Sequence, residues 1–462
     1  MPGARGPAPL LTGVAALAAA VLLPGRAVRA HCAMPEVRRP MLRPGAPNEI
    51  RLFMSFGNAI SLDDGATWRL QCEEVYLPPG SESIGPQNVH VTPKGTLVVG
   101  HFNGLLTSTN DGCSYRKATG IPDDAAGFPI SLIDIALDQS DPDNRIWALI
   151  GDTVYHSTDA GRTVVPTRKF PDHTLLRVRT TAAHPAALYV VSFTDTVSFK
   201  LHISSTLNGT DWETHLWPFG DQDLTMTGIS AADPKRLYAL VGIDNQTLHV
   251  SDDRGKTFRK LFEVTSPDIM ETDRKLSVAL GPAPGEIWVG VHGDDLMPGS
   301  GQLHRSLDGG AIFARVAGTQ PHFRCLEHLD GKLWACGNNL APANDAFAVG
   351  TSTDGTAWTK KFSFGELCQS ISCATATCDP VLDNVCVPGI CARATVDPSP
   401  GREGVDAGAA DGIVEPPGVP GDAGCCRTAG SSMAGGSTGA KGVVLLAVLA
   451  GIAACRRCRR RD

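Results

Sequence analysis

The chain has 462 residues, with 50 glycines, 33 prolines and a formal net charge of −7. So many residues exceed one ordinary domain unless they form a ring of repeats, and the mild acidity offers no basic footprint for nucleic acid. Fourteen cysteines suit an oxidising compartment.

In chain order, residues 1–30 read as a secretory signal peptide. Arg5 is the basic start, Leu10 to Leu23 is an apolar run, and Val28 and Ala30 offer small residues for cleavage. An uncleaved anchor is the alternative, for which the run is short. His31 makes Cys32 a poor lipoprotein cysteine.

From residue 31 to 366 one short pattern recurs seven times. Its first copy runs from Ser61 through Asp63, Gly65 and Thr67 to Trp68. Further copies begin at Ser108, at Ser157 (with Asp159 and Gly161), at Ser205 (a weak copy with Gly209 and Trp212) and at Ser251 (with Asp253 and Gly255). The last two begin at Ser306 (with Asp308 and Gly310) and at Ser352 (with Asp354), the final copy being one residue short. Start-to-start spacings are 47, 49, 48, 46, 55 and 46 residues, a period that suits a four-stranded unit. The pattern has the chemistry of a corner turn. Glycine takes a positive φ, carboxylate and hydroxyl bond to the turn backbone, and the closing aromatic buries its face against a neighbouring unit.

Each copy follows a short apolar stretch, centred on Phe53, Val98, Trp147, Tyr189, Tyr238, Trp288 or Trp334. Most of these follow a Pro, Gly or Asp turn, which reads as all-β. Seven such units predict a seven-bladed β-propeller. The corner pattern resembles the Asp-box (BNR) repeat of sialidase-like and sortilin-like propellers, whose consensus Ser-x-Asp-x-Gly-x-Thr-Trp the first copy matches in full. Photosystem-assembly-factor-like propellers share the box. In that family the box is structural, a role the resemblance implies for Ser61, Asp63, Gly65, Trp68, Asp159, Gly161, Asp253, Gly255, Asp308, Gly310 and Asp354.

Ten cysteines lie in the exported body. Asp330 and Gly331 form a two-residue hairpin signal, and counting outward places Cys325 opposite Cys336, within disulfide reach. A Cys72–Cys113 bridge is a further guess. The segment 367–392 carries Cys368, Cys373, Cys378, Cys386 and Cys391 with no histidine, which favours a disulfide knot over zinc. Residues 393–424 are Pro-, Gly-, Ala- and Asp-rich and read as a disordered linker.

Residues 425–462 contain Cys425 and Cys426, a Gly/Ser spacer, a 13-residue apolar run predicted as a short helix, and an Arg-rich tail. The basic end predicts a cytoplasmic side. The three-part order resembles the myxobacterial C-terminal sorting segment (MYXO-CTERM). That resemblance implies display at the cell surface or outer membrane, with Cys425 or Cys426 as the processing and lipidation point; a plain single-span anchor is the alternative.

In a ring of four-stranded meanders, turns alternate between faces. The face opposite the corners carries the longest loops, because 18 residues separate Trp288 from Ser306 and Trp334 from Ser352, against 8 between Phe53 and Ser61. Long loops on a rigid scaffold carry function. The candidate ligand residues there are His292, Asp294, Asp295, Asn338 and Asn339, helped by His101, Asn103 and Asp244; the competing reading is that they only make turns. The expected function is a monomeric, non-catalytic binding module for a surface glycan, peptide or protein, with no cofactor, no metal and no nucleic acid, membrane-associated through its C-terminal segment. The alternative is a glycoside hydrolase. A sialidase, by resemblance, needs an arginine triad, a tyrosine with a glutamate partner and an Arg-Ile-Pro motif. The motif is absent, and of five tyrosines only Tyr76 lies outside the repeat positions. A two-carboxylate hydrolase stays open. A calcium site at Asp138, Asp141 and Asp143 is weaker, since that stretch reads as an ordinary turn.

Overall fold

The computed structural model describes residues 35–72, 75, 88–101, 104–122, 132–194, 200–220, 222–243, 245–264, 274–293, 297, 299–339 and 345–371. The expected signal peptide, disordered linker and C-terminal sorting segment lie outside the described residues, as does the expected disulfide segment beyond Ile371. No described helix is long and apolar enough to cross a membrane.

Among the described residues, twenty-eight strands form seven four-stranded antiparallel sheets, each a meander in sequence order. The stretches centred on Phe53, Val98, Trp147, Tyr189, Tyr238, Trp288 and Trp334 are the second strands of the seven blades. The first strands are Val37–Arg43, Asn88–Val91, Leu132–Leu137, His173–Arg179, Leu224–Ile229, Leu276–Leu280 and Cys325–Leu329. Each touches the first strand of the next blade, and the seventh touches the first, so the first strands form a closed ring about the central axis, whose interior is here called the channel. The chain is a seven-bladed β-propeller.

Both faces of every blade are covered, so the core lies between blades. Seven buried apolar clusters correspond to the seven seams. This explains why the second strands are nearly continuous apolar runs without a polar face.

The corner pattern joins the third strand to the fourth in each blade. In the first blade Ser61 Oγ donates to Asp63 Oδ1 (2.8 Å) and accepts the Gly65 N–H (2.8 Å). Asp63 in turn accepts the Thr67 N–H (2.9 Å) and hydroxyl (2.7 Å). Burial would raise the Asp63 pKa, but the bonds from Thr67 prevail and hold it below the usual value. The same network recurs at Asp159 and Asp253. The glycine has a second task. At Gly255 (φ +92°) an added Cβ would lie 3.0 Å from Ile203 of the preceding blade, so the corner packs across the seam.

The fourth corner differs from the sequence reading. Thr206, not Ser205, is its hydroxyl: Thr206 Oγ1 donates to Asn208 Oδ1, which accepts from the N–H groups of Thr210 and Asp211. It is the short form, like the last corner at Ser352 and Asp354. Ser205 serves the next blade instead, its hydroxyl and carbonyl accepting from the Arg254 guanidinium at 2.9 and 2.6 Å.

The ring closes without exchanging a strand between the ends. Trp68 of the first blade donates from Nε1 to Lys361 O of the last (3.0 Å) and stacks edge-on against Phe362. Beyond the last strand a short 3-10 turn, Phe364–Glu366, leads the chain back. Leu70 N–H then donates to Gln369 O (2.7 Å) and Ile371 N–H to Leu70 O (2.9 Å). Pairing with the first blade thus continues to Ile371.

Cys325 and Cys336 are directly opposite in the hairpin register and joined by a disulfide, with Cα atoms 4.8 Å apart. Cys72, Cys113 and Cys368 are also disulfide-bonded, and no Cys72–Cys113 bond is among those between described residues.

Candidate functional site

Charged side chains collect where the first strands face the channel. Asp134 is buried and takes three donors: Asn88 Nδ2 (2.8 Å), Val178 N–H (3.0 Å) and Arg179 Nη1 (3.2 Å). His90 Nε2 lies 3.2 Å from Ile135 O, which requires that nitrogen to carry the proton and leaves Nδ1 as an acceptor. Burial, and then the Arg39 charge, hold His90 well below its usual pKa, so it is neutral at pH 7. Arg39 donates to Val89 O across the first seam.

Glu327 stands apart from these. It is half-buried in the channel wall and makes no hydrogen bond or ion pair among the described residues. Burial pushes its carboxyl pKa above the usual range, while Arg39 and Arg179 pull it down through space. Burial likewise lowers the Arg39 pKa, opposed by Glu327. The charges of Arg39 and Arg179 thus act on both Glu327 and His90.

A second polar group lies on the long-loop face. Asp345, in the loop between the second and third strands of the last blade, accepts the His322 N–H (2.9 Å) and the Asn338 N–H (2.7 Å). His322 Nδ1 is 3.0 Å from both carboxylate oxygens of Asp345, and its Nε2 is 3.3 Å from Ser300 Oγ. The long loops of the sixth and seventh blades are therefore tied together through the link between those blades.

No protein-family profile and no curated protein matches the chain by sequence. Solved structures resemble it at low identity. A GH74 xyloglucanase from Xanthomonas campestris is 14% identical, with TM-score 0.40, 70% of this chain covered and 60% of that one. An ancestral GH74 enzyme is 14% identical, with TM-score 0.43, and the match spans 62% of this chain and 39% of the enzyme. YCF48 from Cyanidioschyzon merolae is 14% identical with TM-score 0.45, covering 66% of this chain and 94% of that protein. Likeness at this level speaks of the fold alone.

Of the residues expected from sequence, Asp244, Asp294, Asp295 and Asn103 lie outside the described residues. His101 is buried at the end of its strand. His292 is half-buried just after its strand, its N–H donating to Lys275 O. Asn339 is committed to the closing turn, its Oδ1 accepting from Ser363 Oγ (2.8 Å) and Phe364 N–H (3.2 Å). Asn338 meets Asp345 through its backbone. The sequence reading missed Arg39, His90, Asp134, Arg179 and Glu327. Their signal is a polar residue inside the first strand of a blade, as in Asn88–Val91 and Leu132–Leu137, where the interior would otherwise be apolar. Among the described residues no cluster of three or more His, Cys, Asp or Glu is gathered as for a metal ion.

Proposed function

We propose that the protein is an exported, surface-held binding module that takes the polar end of a glycan or peptide into its axial channel. The observation that carries this is Glu327, a half-buried first-strand carboxyl with no hydrogen bond or ion pair among the described residues, on which the charges of Arg39 and Arg179 act. That carboxyl is therefore open to a donor from a ligand. Arg39 and Arg179 offer donors to an anionic group, while Glu327 and His90 Nδ1 offer acceptors to hydroxyl or amine. Residues 1–30 and 425–462 support export and surface attachment. The corner hydrogen bonds support assignment to the Asp-box propellers of the sialidase-like and sortilin-like kind.

Binding on a glycan and peptide array, followed by calorimetry on any hit, tests the reading. Arg39→Ala and Glu327→Gln should each weaken a hit at least tenfold with unfolding temperature retained. A hit unaffected by both would remove the channel as the site.

One observation favours glycoside hydrolysis as the second reading. Glu327 is pushed toward the protonated state while Asp134 is held by Arg179 and two further donors, and two carboxyls in unlike settings suit an acid and its partner. Turnover of a chromogenic glycoside, abolished by Glu327→Gln, would establish it over simple binding.

A further inference from the structure

We propose that Ser300 is an acyl-transfer nucleophile, with His322 as its general base and Asp345 as the positioning residue, acting on short-chain carboxylic esters. The three residues come from separate segments: the long loop of the sixth blade, the link to the seventh, and the long loop of the seventh. Each link in the relay has a physical reason. Asp345 is buried (5% exposed) and accepts two backbone N–H groups, which fix the position of its carboxylate. With both its oxygens 3.0 Å from Nδ1, that ring nitrogen must carry the proton. The lone pair is thereby left on Nε2, which faces the Ser300 hydroxyl at 3.3 Å. His322 is fully buried and Ser300 half-buried, so the base is sheltered and the hydroxyl lies on the outer side of it.

The backbone around Ser300 is set by two close approaches. A Cβ at Gly293 would fall 2.0 Å from Ser300 Oγ, and one at Gly301 would fall 1.8 Å from Pro321 O. Ser300 also bridges in parallel to Gln320, two residues before the histidine. Serine and base are thus held in one register by backbone, and the crowding beside Oγ limits the acyl chain to a short one.

In the reaction Ser300 Oγ bonds to the ester carbonyl carbon as its proton passes to His322 Nε2. The bond from that carbon to the alkoxy oxygen then breaks, and the leaving alcohol takes the proton. Water, deprotonated by the same nitrogen, attacks the acyl-serine, releases the carboxylic acid and returns the proton to Oγ. This activity is independent of the channel.

The test uses the full chain with a fluorophosphonate reagent, peptide mapping by mass spectrometry, and p-nitrophenyl acetate as substrate. Label on Ser300 is expected, as is a fall in turnover of at least a hundredfold in Ser300→Ala, which removes one oxygen and keeps the unfolding temperature near that of the parent. Asp345→Asn should lower kcat with KM retained and move the acid limb of the pH profile to lower pH, because an imidazole without its carboxylate is less basic. Lys117→Ala, on the exposed fourth strand of the second blade, should leave turnover unchanged. Absence of label on Ser300, or equal turnover in the parent and Ser300→Ala, would overturn the proposal and leave the trio as a clamp between loops, with ligand binding in the channel unaffected either way.

Discussion

The closing seam between the last blade and the first is built unlike the seam between the first and second. Among the described residues the closing cluster holds seventeen buried side chains, including Trp68, Phe362, Phe364 and the Cys325–Cys336 pair. The cluster between the first two blades holds seven. Beside the smaller cluster lies Arg51, whose side chain is 2% exposed and pairs with the exposed Asp111, while its Nε and Nη1 lack partners. A covalently continuous seam tolerates such a polar element because the chain already holds its two blades together. The closing seam joins the two ends of the ring, so its larger apolar area and the pairing of Leu70 with Gln369 and Ile371 perform that task, while the Cys325–Cys336 disulfide staples the hairpin of the last blade on one side of it.

The sharpest way to break this comparison is at Trp68. Trp68→Ala should cost about 3–5 kcal/mol, measured by denaturant unfolding, since it leaves a cavity and removes the bond to Lys361 O. An effect below about 1 kcal/mol would mean that the closing seam does not hold the ring. Next in size, Cys325→Ala with Cys336→Ala opens a bridge of sequence separation 11, and about 2–3 kcal/mol should be lost under oxidising conditions but not under reducing ones.

At the other seam the expected sign reverses. Arg51→Met should leave stability unchanged or raise it by about 1 kcal/mol, because the guanidinium is incompletely paired. A loss of several kcal/mol would show that this seam depends on its charge as the closing seam depends on area.

The smallest effect is that of pH. Burial lowers the pKa of His249 and of His304 from 6.5 to about 4, aided by Lys260 and Arg315 respectively. Between those values the unfolded chain binds more protons than the folded one, so stability falls as pH drops from 6.5 to about 4. The corner carboxylates are depressed below 3.8 and add their loss only under more acid conditions. Melting temperature should therefore fall by a few degrees across the first window, and His249→Gln should flatten that slope.

How much was legible in the sequence follows from range. Corner turns bond within themselves, from Ser61 to Thr67, so seven copies and their spacing led to the blade count and to the strand before each corner. The Cys325–Cys336 bridge was equally local, its register set by Asp330 and Gly331. Where one residue was missing, at Thr206, the pattern slipped by a position and Ser205 was misassigned, because its partner Arg254 lies on the next blade.

What the sequence by itself determined was therefore everything carried by local turns and by the period: an all-β ring, seven blades, a hairpin disulfide. The tertiary structure alone decided the rest. Arg39, Asp134, Arg179 and Glu327 come from four different blades and meet only because the first strands close a circle. Ser300, His322 and Asp345 meet only because three segments of the sixth and seventh blades come together in space. Electrostatic contact depends on distance through space, and only the closed ring sets those distances.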